Sequence, residues 1–399
     1  MNNYDALIIG AGPAGNRVAY KLANLGHKVA VFEKHEKIGG KLCCTGIIGT
    51  ECMDLFEIDR SCVLQHARSA KLFAPSGEFL RVSKNEPQAY IVDRSAFDRN
   101  LAQRAKNEGT EYFLSSRVND ISVSIDGVEL KVDQHGDTRS FQGKTVVIAG
   151  GFASSLPGKL GMGQIKNRII GAQAEVETNG IDEVEVYFSQ KIAPGFFAWL
   201  APISKNSARV GLFARENPGE YLQKLLAQLS QQGKVSAAEA DITYGGIPLK
   251  PLPRTFGDRV LVVGDTAGQV KPTTGGGIYY GMLCADFASE ILHQAFSSND
   301  FTKNRFKRYD KLWKDKLGRE LQIDYFARSF YGRLSDKRIN SIFQIVKDNN
   351  IHEDMLNSSY SSFDWHGQLV LDGLKRLTPW QYLFGKYIPG YIIKSLRGK

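Results

Sequence analysis

The sequence contains few cysteines and no long apolar run. Five cysteines occur among 399 residues, and no two of them form a Cys-x-x-Cys pair. The spacing of zinc and iron–sulfur sites is therefore absent, and neither a metal site nor a disulfide scaffold is expected. Because no 18 consecutive residues are apolar, a membrane-spanning helix is not expected. The N-terminus lacks the basic and apolar regions of a secretory signal, so a cytoplasmic location is predicted.

The excess of positive charge is confined to the last quarter of the chain. Residues 301–399 contain 19 basic and 10 acidic side chains, whereas the first 300 residues contain 32 of each. Such a tail predicts an acidic partner, either a membrane surface, a phosphorylated substrate or nucleic acid. Aromatic residues are mixed with lysines and arginines in 303–319 and 377–399, which favours peripheral attachment to an anionic membrane. An ordinary solvated helical face is the alternative. Nucleic acid is not expected because no known binding module is visible.

The pattern of apolar residues predicts an α/β fold with an inserted sheet. Strands at 4–9 and 28–33 flank a helix at 13–25, which forms a βαβ unit. Alternating residues between 168 and 213 predict antiparallel sheet. The predicted division is a Rossmann-type nucleotide-binding domain (1–65, 93–165 and 242–298), an antiparallel-sheet substrate domain (66–92 and 166–241) and a basic, mostly helical C-terminal region (299–399).

The strongest motif is the glycine-rich turn after the first predicted strand. It reads Gly10-Ala11-Gly12-Pro13-Ala14-Gly15 and opens the first predicted helix. In this context Gly10 permits a tight turn, Gly12 admits a pyrophosphate and Gly15 lets helix and strand pack closely. Glu33, at the end of the second strand, can accept hydrogen bonds from ribose hydroxyls. The motif therefore predicts a dinucleotide site.

Further motifs resemble a large family of FAD-dependent proteins that includes aromatic hydroxylases and glutathione reductase-like enzymes. The acid at position 33 is followed by Lys34 and, after an interval, by Gly40. A helix beginning Asp-Arg-Ser-Ala-Phe-Asp resembles the family segment whose arginine, here Arg94, lies near the flavin. The run Gly-Asp-Thr-Ala-Gly resembles the segment in which Gly264 and Asp265 hold the ribityl chain. One departure is Gly150, which replaces an aspartate found in many NADPH-dependent hydroxylases.

The segment after Asp265 carries three consecutive glycines into a predicted helix. Backbone N–H groups of Gly275, Gly276 and Gly277, with Ile278 after them, can approach a flat ring and stabilise negative charge on a reduced flavin. A mobile glycine loop is the alternative. For Asp265, helix N-capping is a compatible second role.

Two stretches resemble geranylgeranyl reductases in particular. One is the run Gly-Asp-Thr-Ala-Gly-Gln-Val-Lys-Pro-Thr-Thr-Gly-Gly-Gly-Ile. The other, residues 194–202, is similar to the substrate-pocket motif of these enzymes, in which Phe197, Trp199 and Pro202 would line the pocket. The alternative is that these residues belong to the sheet core.

This resemblance implies an enzyme that uses FAD to saturate isolated C=C bonds of a geranylgeranyl or related isoprenoid chain. Such a chain would belong to a lipid, a pyrophosphate, a chlorophyll-type ester or menaquinone. Cys44 and Tyr279 are candidate proton donors. Only one Gly-x-Gly-x-x-Gly loop is present, so NADPH would bind transiently or a ferredoxin-like carrier would supply electrons. The alternatives are an aromatic monooxygenase or halogenase-like enzyme, and a prenyl-lipid-binding protein without catalysis.

Overall fold

The structure, a computed structural model, describes residues 4–40, 43–359 and 361–377. The chain divides into two units, each assembled from three segments. The first unit comprises Met1–Leu42, Arg94–Arg168 and Gly246–Gly318, and the second comprises Cys43–Asp93, Ile169–Gly245 and Arg319–Lys399. This division differs from the predicted one at two places. Residues 43–65 belong to the second unit, and the C-terminal region is shared between the two units instead of standing apart.

Helices and strands both occur in each unit and are numbered in chain order. The helices are α1 (Pro13–Asn24), α2 (Thr50–Leu55), α3 (Arg94–Asn107), α4 (Leu156–Lys159), α5 (Pro218–Gln231), α6 (Ile278–Ser298), α7 (Lys303–Tyr331), α8 (Asp336–Asp348), α9 (Ile351–Leu356) and α10 (Gly367–Leu377). The strands are β1 (Tyr4–Ile9), β2 (Val29–Phe32), β3 (Ile47–Gly49), β4 (Val63–Ala67), β5 (Ser69–Phe73), β6 (Phe79–Ser83), β7 (Ala89–Val92), β8 (Glu111–Phe113), β9 (Ser116–Val123), β10 (Val128–Gln134), β11 (Asp137–Ile148), β12 (Arg168–Glu177), β13 (Val184–Tyr187), β14 (Ala198–Pro202), β15 (Ser207–Ala214), β16 (Thr243–Pro248), β17 (Phe256–Gly257) and β18 (Val260–Val262).

The first unit is built on a mostly parallel sheet. Its strand order is β17-β18-β11-β1-β2-β8, and β9 and β10 extend β11 as antiparallel neighbours. β1 pairs in parallel with both β2 and β11, and β11 pairs in parallel with β18. These central strands are apolar and buried, as expected where both faces of a parallel sheet are covered. The carboxyl ends of β1, β2 and β18 therefore share one edge, the usual ligand edge of such sheets.

The first half of α7 packs into the core of the first unit. Phe306, Tyr309, Trp313 and Leu317 recur on one helix face and are at most 1% exposed. The Tyr309 hydroxyl donates to the Val262 carbonyl at 2.9 Å. The aromatic residues of 303–319 thus serve the core, and their predicted contact with a membrane interface is wrong for these described residues. Residues 378–399, the rest of the predicted membrane segment, lie outside the described ranges.

The second unit contains the predicted antiparallel sheet and a smaller sheet. The large sheet has the order β16-β12-β15-β14-β13-β5-β6, and the small one has the order β3-β7-β4. An apolar cluster joins them, with Ile91 from the small sheet and Val184 and Ala201 from the large one. The leucines of α5 at 222, 225, 226 and 229 are fully buried. The fold class predicted from the sequence, a Rossmann-type domain interleaved with an antiparallel-sheet domain, is confirmed.

Among the described residues, no helix combines the length and the apolar character that crossing a bilayer requires.

Candidate functional site

The glycine-rich turn between β1 and α1 has the geometry of a phosphate-binding loop. Gly10 has φ +105°, and a Cβ atom there would lie 2.4 Å from the Ala149 carbonyl oxygen. A Cβ atom on Gly15 would lie 2.0 Å from the Gly10 carbonyl oxygen, so this contact excludes every side chain. At Gly12, by contrast, a Cβ atom would meet nothing within 4 Å. Among the described residues no side chain caps the start of α1 at Gly12, so the N–H groups of its first turn can serve an anion.

Glu33 ties the end of β2 to this loop. Its carboxylate accepts hydrogen bonds from the N–H groups of Ala11 at 2.9 Å and His35 at 3.0 Å. Lys34, the next residue, is exposed, and Gly40 is half-buried after the following turn. The turn itself packs on α3, because a Cβ atom on Gly39 would lie 2.7 Å from the Ser95 carbonyl oxygen. The structure therefore brings the loop, the acid and the start of α3 together, as the dinucleotide motif predicts.

Arg94, the first residue of α3, faces two carboxylates. Its Nη2 donates to both oxygens of Asp98, at 3.0 and 3.1 Å. Burial raises the pKa of Asp98, and the charge of Arg94 opposes that increase. Burial also raises the pKa of Asp265 to about 6, again against the influence of Arg94. One cation thus favours negative charge at two positions of the nucleotide site.

Asp265 lies inside a 3₁₀ turn, Gly264–Ala267, and does not cap a helix. The N-cap position belongs to Val263, so the predicted capping role is wrong, because the turn begins one residue before Asp265. No described donor reaches the Asp265 carboxylate, so only the charge of Arg94 opposes the increase in pKa that burial causes. Its Oδ1 atom instead abuts the glycine segment, since a Cβ atom on Gly277 would lie 2.6 Å from it.

The segment between Asp265 and α6 is an ordered loop. The N–H group of Gly275 donates to the Lys271 carbonyl at 2.9 Å, and the N–H group of Lys271 donates to the Gly276 carbonyl at 3.1 Å. Gly275 has φ +75°, which favours glycine. Helix α6 begins at Ile278, and Tyr279 is 4% exposed in its first turn. The alternative of a loose glycine loop does not agree with these closed hydrogen bonds.

These residues fit FAD. Gly12 leaves room for a pyrophosphate at a helix N-terminus, and the Asp265 carboxylate lacks the donors that a ribityl chain carries. Gly264 keeps the turn close to α1, because a Cβ atom there would lie 3.1 Å from the Cβ of Ala14. The predicted nucleotide residues therefore form one continuous edge of the first unit.

The second unit carries an aromatic wall on one face of its large sheet. In the paired strands Trp199 lies opposite Gly211, and Gly211 lies opposite Gln173. A Cβ atom on Gly211 would lie 2.4 Å from Trp199 Cζ2, so the indole covers the glycine. The Phe213 ring covers Gly171 in the same way and lies 5.2 Å from the Trp199 ring centre. We call Trp199, Phe213 and Phe197 the aromatic wall; the Phe197 and Trp199 ring centres are 6.1 Å apart.

The wall includes two of the three predicted pocket residues. Pro202 is buried three residues after Trp199, and because side chains alternate along a strand it belongs to the opposite face. Phe197 and Trp199 are half-buried, whereas Phe196 is 2% exposed. The Trp199 Nε1 atom is buried without a hydrogen-bond partner among the described residues. This indole therefore presents an unsatisfied donor at the wall.

The segment around Cys44 lies beside the same face. Thr45 Oγ1 donates to Gln173 Oε1 at 2.8 Å, and the Thr45 carbonyl accepts from Arg209 at 2.9 Å. The Cys43 thiol lies 3.5 Å from the Thr243 carbonyl oxygen, and burial raises its pKa to about 11. Cys44, between them, is half-buried. Thr45, Gln173 and Gly211 carry no signal in the sequence, because strand register brings Gln173 and Gly211 to Trp199 and a hydrogen bond to Gln173 brings Thr45 there.

Known proteins match this chain across segments of both units. The family described as "Lycopene cyclase protein" matches residues 5–361. This chain belongs to that family. Curated relatives named digeranylgeranylglycerophospholipid reductase include one from Methanococcus vannielii, 30% identical over 87% of this chain and 91% of its own length. A second, from Methanocaldococcus jannaschii, is 29% identical over 86% of this chain and 90% of its own length. The predicted resemblance to geranylgeranyl reductases is confirmed by these relatives.

A solved structure shares the fold along the whole chain. The crystal structure of a geranylgeranyl bacteriochlorophyll reductase-like protein from Thermoplasma acidophilum matches with a TM-score of 0.84 and 22% identity. The match covers 100% of this chain and 99% of that one. At 22% identity this likeness establishes the fold, whereas the chemistry depends on the individual residues of the site.

Proposed function

We propose that this protein is an FAD-dependent reductase that saturates isolated C=C bonds of a geranylgeranyl or related isoprenoid chain. The observation that carries the proposal is the aromatic wall, in a chain whose curated relatives are named as reductases of digeranylgeranyl phospholipids. A wall of flat rings over glycines gives an apolar surface with few polar groups, which suits a prenyl chain. The nucleotide site supplies the second requirement, a place for the flavin.

FAD would be held by the residues of the first unit. The Gly10–Gly15 loop would bind its pyrophosphate, Glu33 its ribose and Asp265 its ribityl chain. Backbone N–H groups of 275–277 and the start of α6 would stabilise negative charge on the ring. The chemistry that FAD would supply, when bound here and reduced, is hydride donation to the alkene. The electrons for FAD would come from transiently bound NADPH or from a ferredoxin-like carrier, because the sequence has only one Gly-x-Gly-x-x-Gly loop.

The second unit would prepare the alkene. An isolated double bond gains positive charge as it is reduced, and the faces of Trp199 and Phe213 would stabilise that charge while excluding water. Cys44, beside the wall, and Tyr279, in the first turn of α6, remain the candidate proton donors. The protein would select its substrate by the head group as well as by the contact of the prenyl chain with this apolar surface.

The proposal is tested by reduction of defined prenyl compounds. The purified FAD-loaded protein is reduced with dithionite without air and mixed with a geranylgeranyl phospholipid, geranylgeranyl pyrophosphate or menaquinone. A mass gain of two units per saturated bond with any of them supports the proposal. No mass gain with any of them, together with oxygen-dependent turnover of a phenol, would instead establish the aromatic monooxygenase alternative. A colourless protein that binds prenyl chains without FAD would establish the non-catalytic alternative.

Peripheral attachment to an anionic membrane is proposed for the C-terminal tail only. The supporting feature is the mixture of aromatic and basic residues in 377–399, because the aromatics of 303–319 are in the core. Flotation with anionic and with neutral vesicles tests it. Recovery with anionic vesicles alone is expected, and failure to float with either composition would contradict it.

A further inference from the structure

Helix α7 places one buried arginine, Arg328, in the second unit, and no carboxylate of the described part of the chain forms an ion pair with it. Arg328 is 8% exposed, and its Cζ atom lies 4.0 Å from the centre of the Phe196 ring. Among the described residues, its Nε atom has no hydrogen-bond partner and no carboxylate pairs with its guanidinium. Arg209 and Arg81 of the same unit, by contrast, pair with Glu175 and Glu183. An unpaired buried charge is costly, so this arginine calls for an anion.

A second cation, Arg215, follows the strand that carries Phe213. Arg215 follows β15, two residues after Phe213, whose ring centre lies 6.0 Å from that of Phe196. Phe196 therefore contacts Arg328 and also lies near Phe213, which precedes Arg215 by two residues. Burial and the charge of Arg215 together lower the pKa of Arg328 to about 10, although Tyr325 opposes the shift. The buried Arg328 guanidinium on the Phe196 ring is therefore the centre of the site, and an anion bound there would offset the cost of burying its charge.

Hydrogen bonds fix the loop that precedes Phe196. Gln190 accepts from the Gly195 N–H at 2.7 Å, and its own backbone N–H donates to Asp336 at 2.7 Å. The Asp336 carboxylate also accepts from Ser189 Oγ, so it is engaged by the loop. The Tyr331 hydroxyl, one helical turn after Arg328, is buried and has no hydrogen-bond partner in the described part of the chain. It is a further unsatisfied donor on the same helix.

We propose that Arg328, assisted by Arg215, binds the phosphate of a prenyl substrate's head group. This inference rests on the proposed function and specifies its substrate class, a phosphate ester of an isoprenoid chain. The planar guanidinium fork matches the oxygens of a phosphate, and stacking on Phe196 holds its plane. Phe196 is the residue directly before the aromatic wall, so the head group would sit where the apolar surface begins. A free phosphate has the same chemistry, and the experiment separates the two.

The experiment measures binding to the full-length, FAD-loaded, oxidised protein by titration calorimetry in neutral detergent. The ligands are geranylgeranyl phosphate, geranylgeraniol and inorganic phosphate. The wild type is expected to bind the phosphate ester about 10- to 100-fold more tightly than the alcohol. Arg328→Met should reduce this preference to within about threefold, and Arg215→Ala should reduce it partly. Lys337→Met removes one charge from α8 and serves as the matched control, with the preference retained.

The outcomes separate this proposal from the proposed function. Equal weakening of both prenyl ligands in Arg328→Met would mean a structural role and would overturn the proposal. If Arg328→Met does not fold, the exposed Arg215→Ala and the charge-retaining Arg328→Lys decide in the same assay. Inorganic phosphate binding as tightly as the ester would overturn the assignment to a head group. An Arg328-dependent preference without saturation of any prenyl bond would leave the anion site standing and refute the reductase. Saturation of prenyl double bonds with equal KM for charged and neutral chains would support the reductase and refute the anion site.

Discussion

Replacing Asp265 with asparagine should stabilise the FAD-free protein while weakening FAD binding. The carboxyl group has an ordinary pKa of 3.8 and a folded-state pKa of about 6. Because the folded state holds this proton more tightly than the unfolded state, ionisation costs stability. A difference of about two pH units corresponds to a cost on the order of 3 kcal/mol at pH 7. The cost falls as the pH drops from about 6 towards about 4, where the group becomes protonated in both states.

The assay is urea unfolding of the FAD-free wild type and Asp265→Asn proteins at several pH values. At pH 7 the variant should be more stable by on the order of 3 kcal/mol, and at pH 5 by roughly half of that. Asp126→Asn, at an exposed position, is the control and should show no such gap. FAD should then raise the unfolding midpoint of the wild type more than that of the variant. A gap that does not change between pH 5 and pH 7, or a more stable wild type, would refute the reasoning.

Substitutions at two glycine contacts and at the candidate proton donors test the remaining parts of the site. Gly15→Val places atoms against the Gly10 carbonyl oxygen, so the variant should lose FAD and about 1–3 kcal/mol or more of its free energy of unfolding. Absorbance of the purified protein at flavin wavelengths measures the FAD content. Retained FAD would contradict the prediction. Gly211→Val displaces the Trp199 indole, so prenyl reduction should fall at least about tenfold while FAD content is unchanged, as measured by turnover and absorbance; normal turnover would exclude the wall as the substrate surface. Cys44→Ser should slow alkene reduction by about 10²-fold or more without slowing flavin reduction if this thiol is the proton donor, and Tyr279→Phe is its counterpart; a variant that retains the wild-type rate in stopped-flow measurements removes its residue from candidacy.

The nucleotide site could be predicted because its determinants are local. The Gly10–Gly15 turn, Glu33 and the Gly264–Asp265 turn each specify backbone geometry within a few residues, and the structure forms them at one sheet edge. The predicted helix at 13–25 agrees with α1 to within one residue, and the helix predicted at the Asp-Arg-Ser-Ala-Phe-Asp run is α3. Local signals of this kind do not depend on the rest of the chain.

The substrate unit was harder to predict because its determinants are distant in sequence. β3, β4 and β7 are short strands whose pairing decides that residues 43–65 belong to the second unit. The motif of 194–202 suggests one pocket lining, yet strand alternation separates Pro202 from Trp199. Arg328 appears in the sequence as one charge in a basic tail. Its stacking on Phe196, which is distant in the sequence, follows only from the packing of α7.

The pairing of large rings with glycines across neighbouring strands has a consequence for substrate length. Trp199 and Phe213 each occupy space left empty on an adjacent strand, so the bulk of the wall can be moved sideways by exchanging a ring and a glycine between paired positions. One such exchange shifts the surface by a strand spacing, about 4.8 Å. That distance is comparable with one five-carbon repeat of a prenyl chain. If the aromatic wall lines the prenyl chain as proposed, exchanging a ring and a glycine between paired positions is expected to change the preferred chain length by about one isoprene unit.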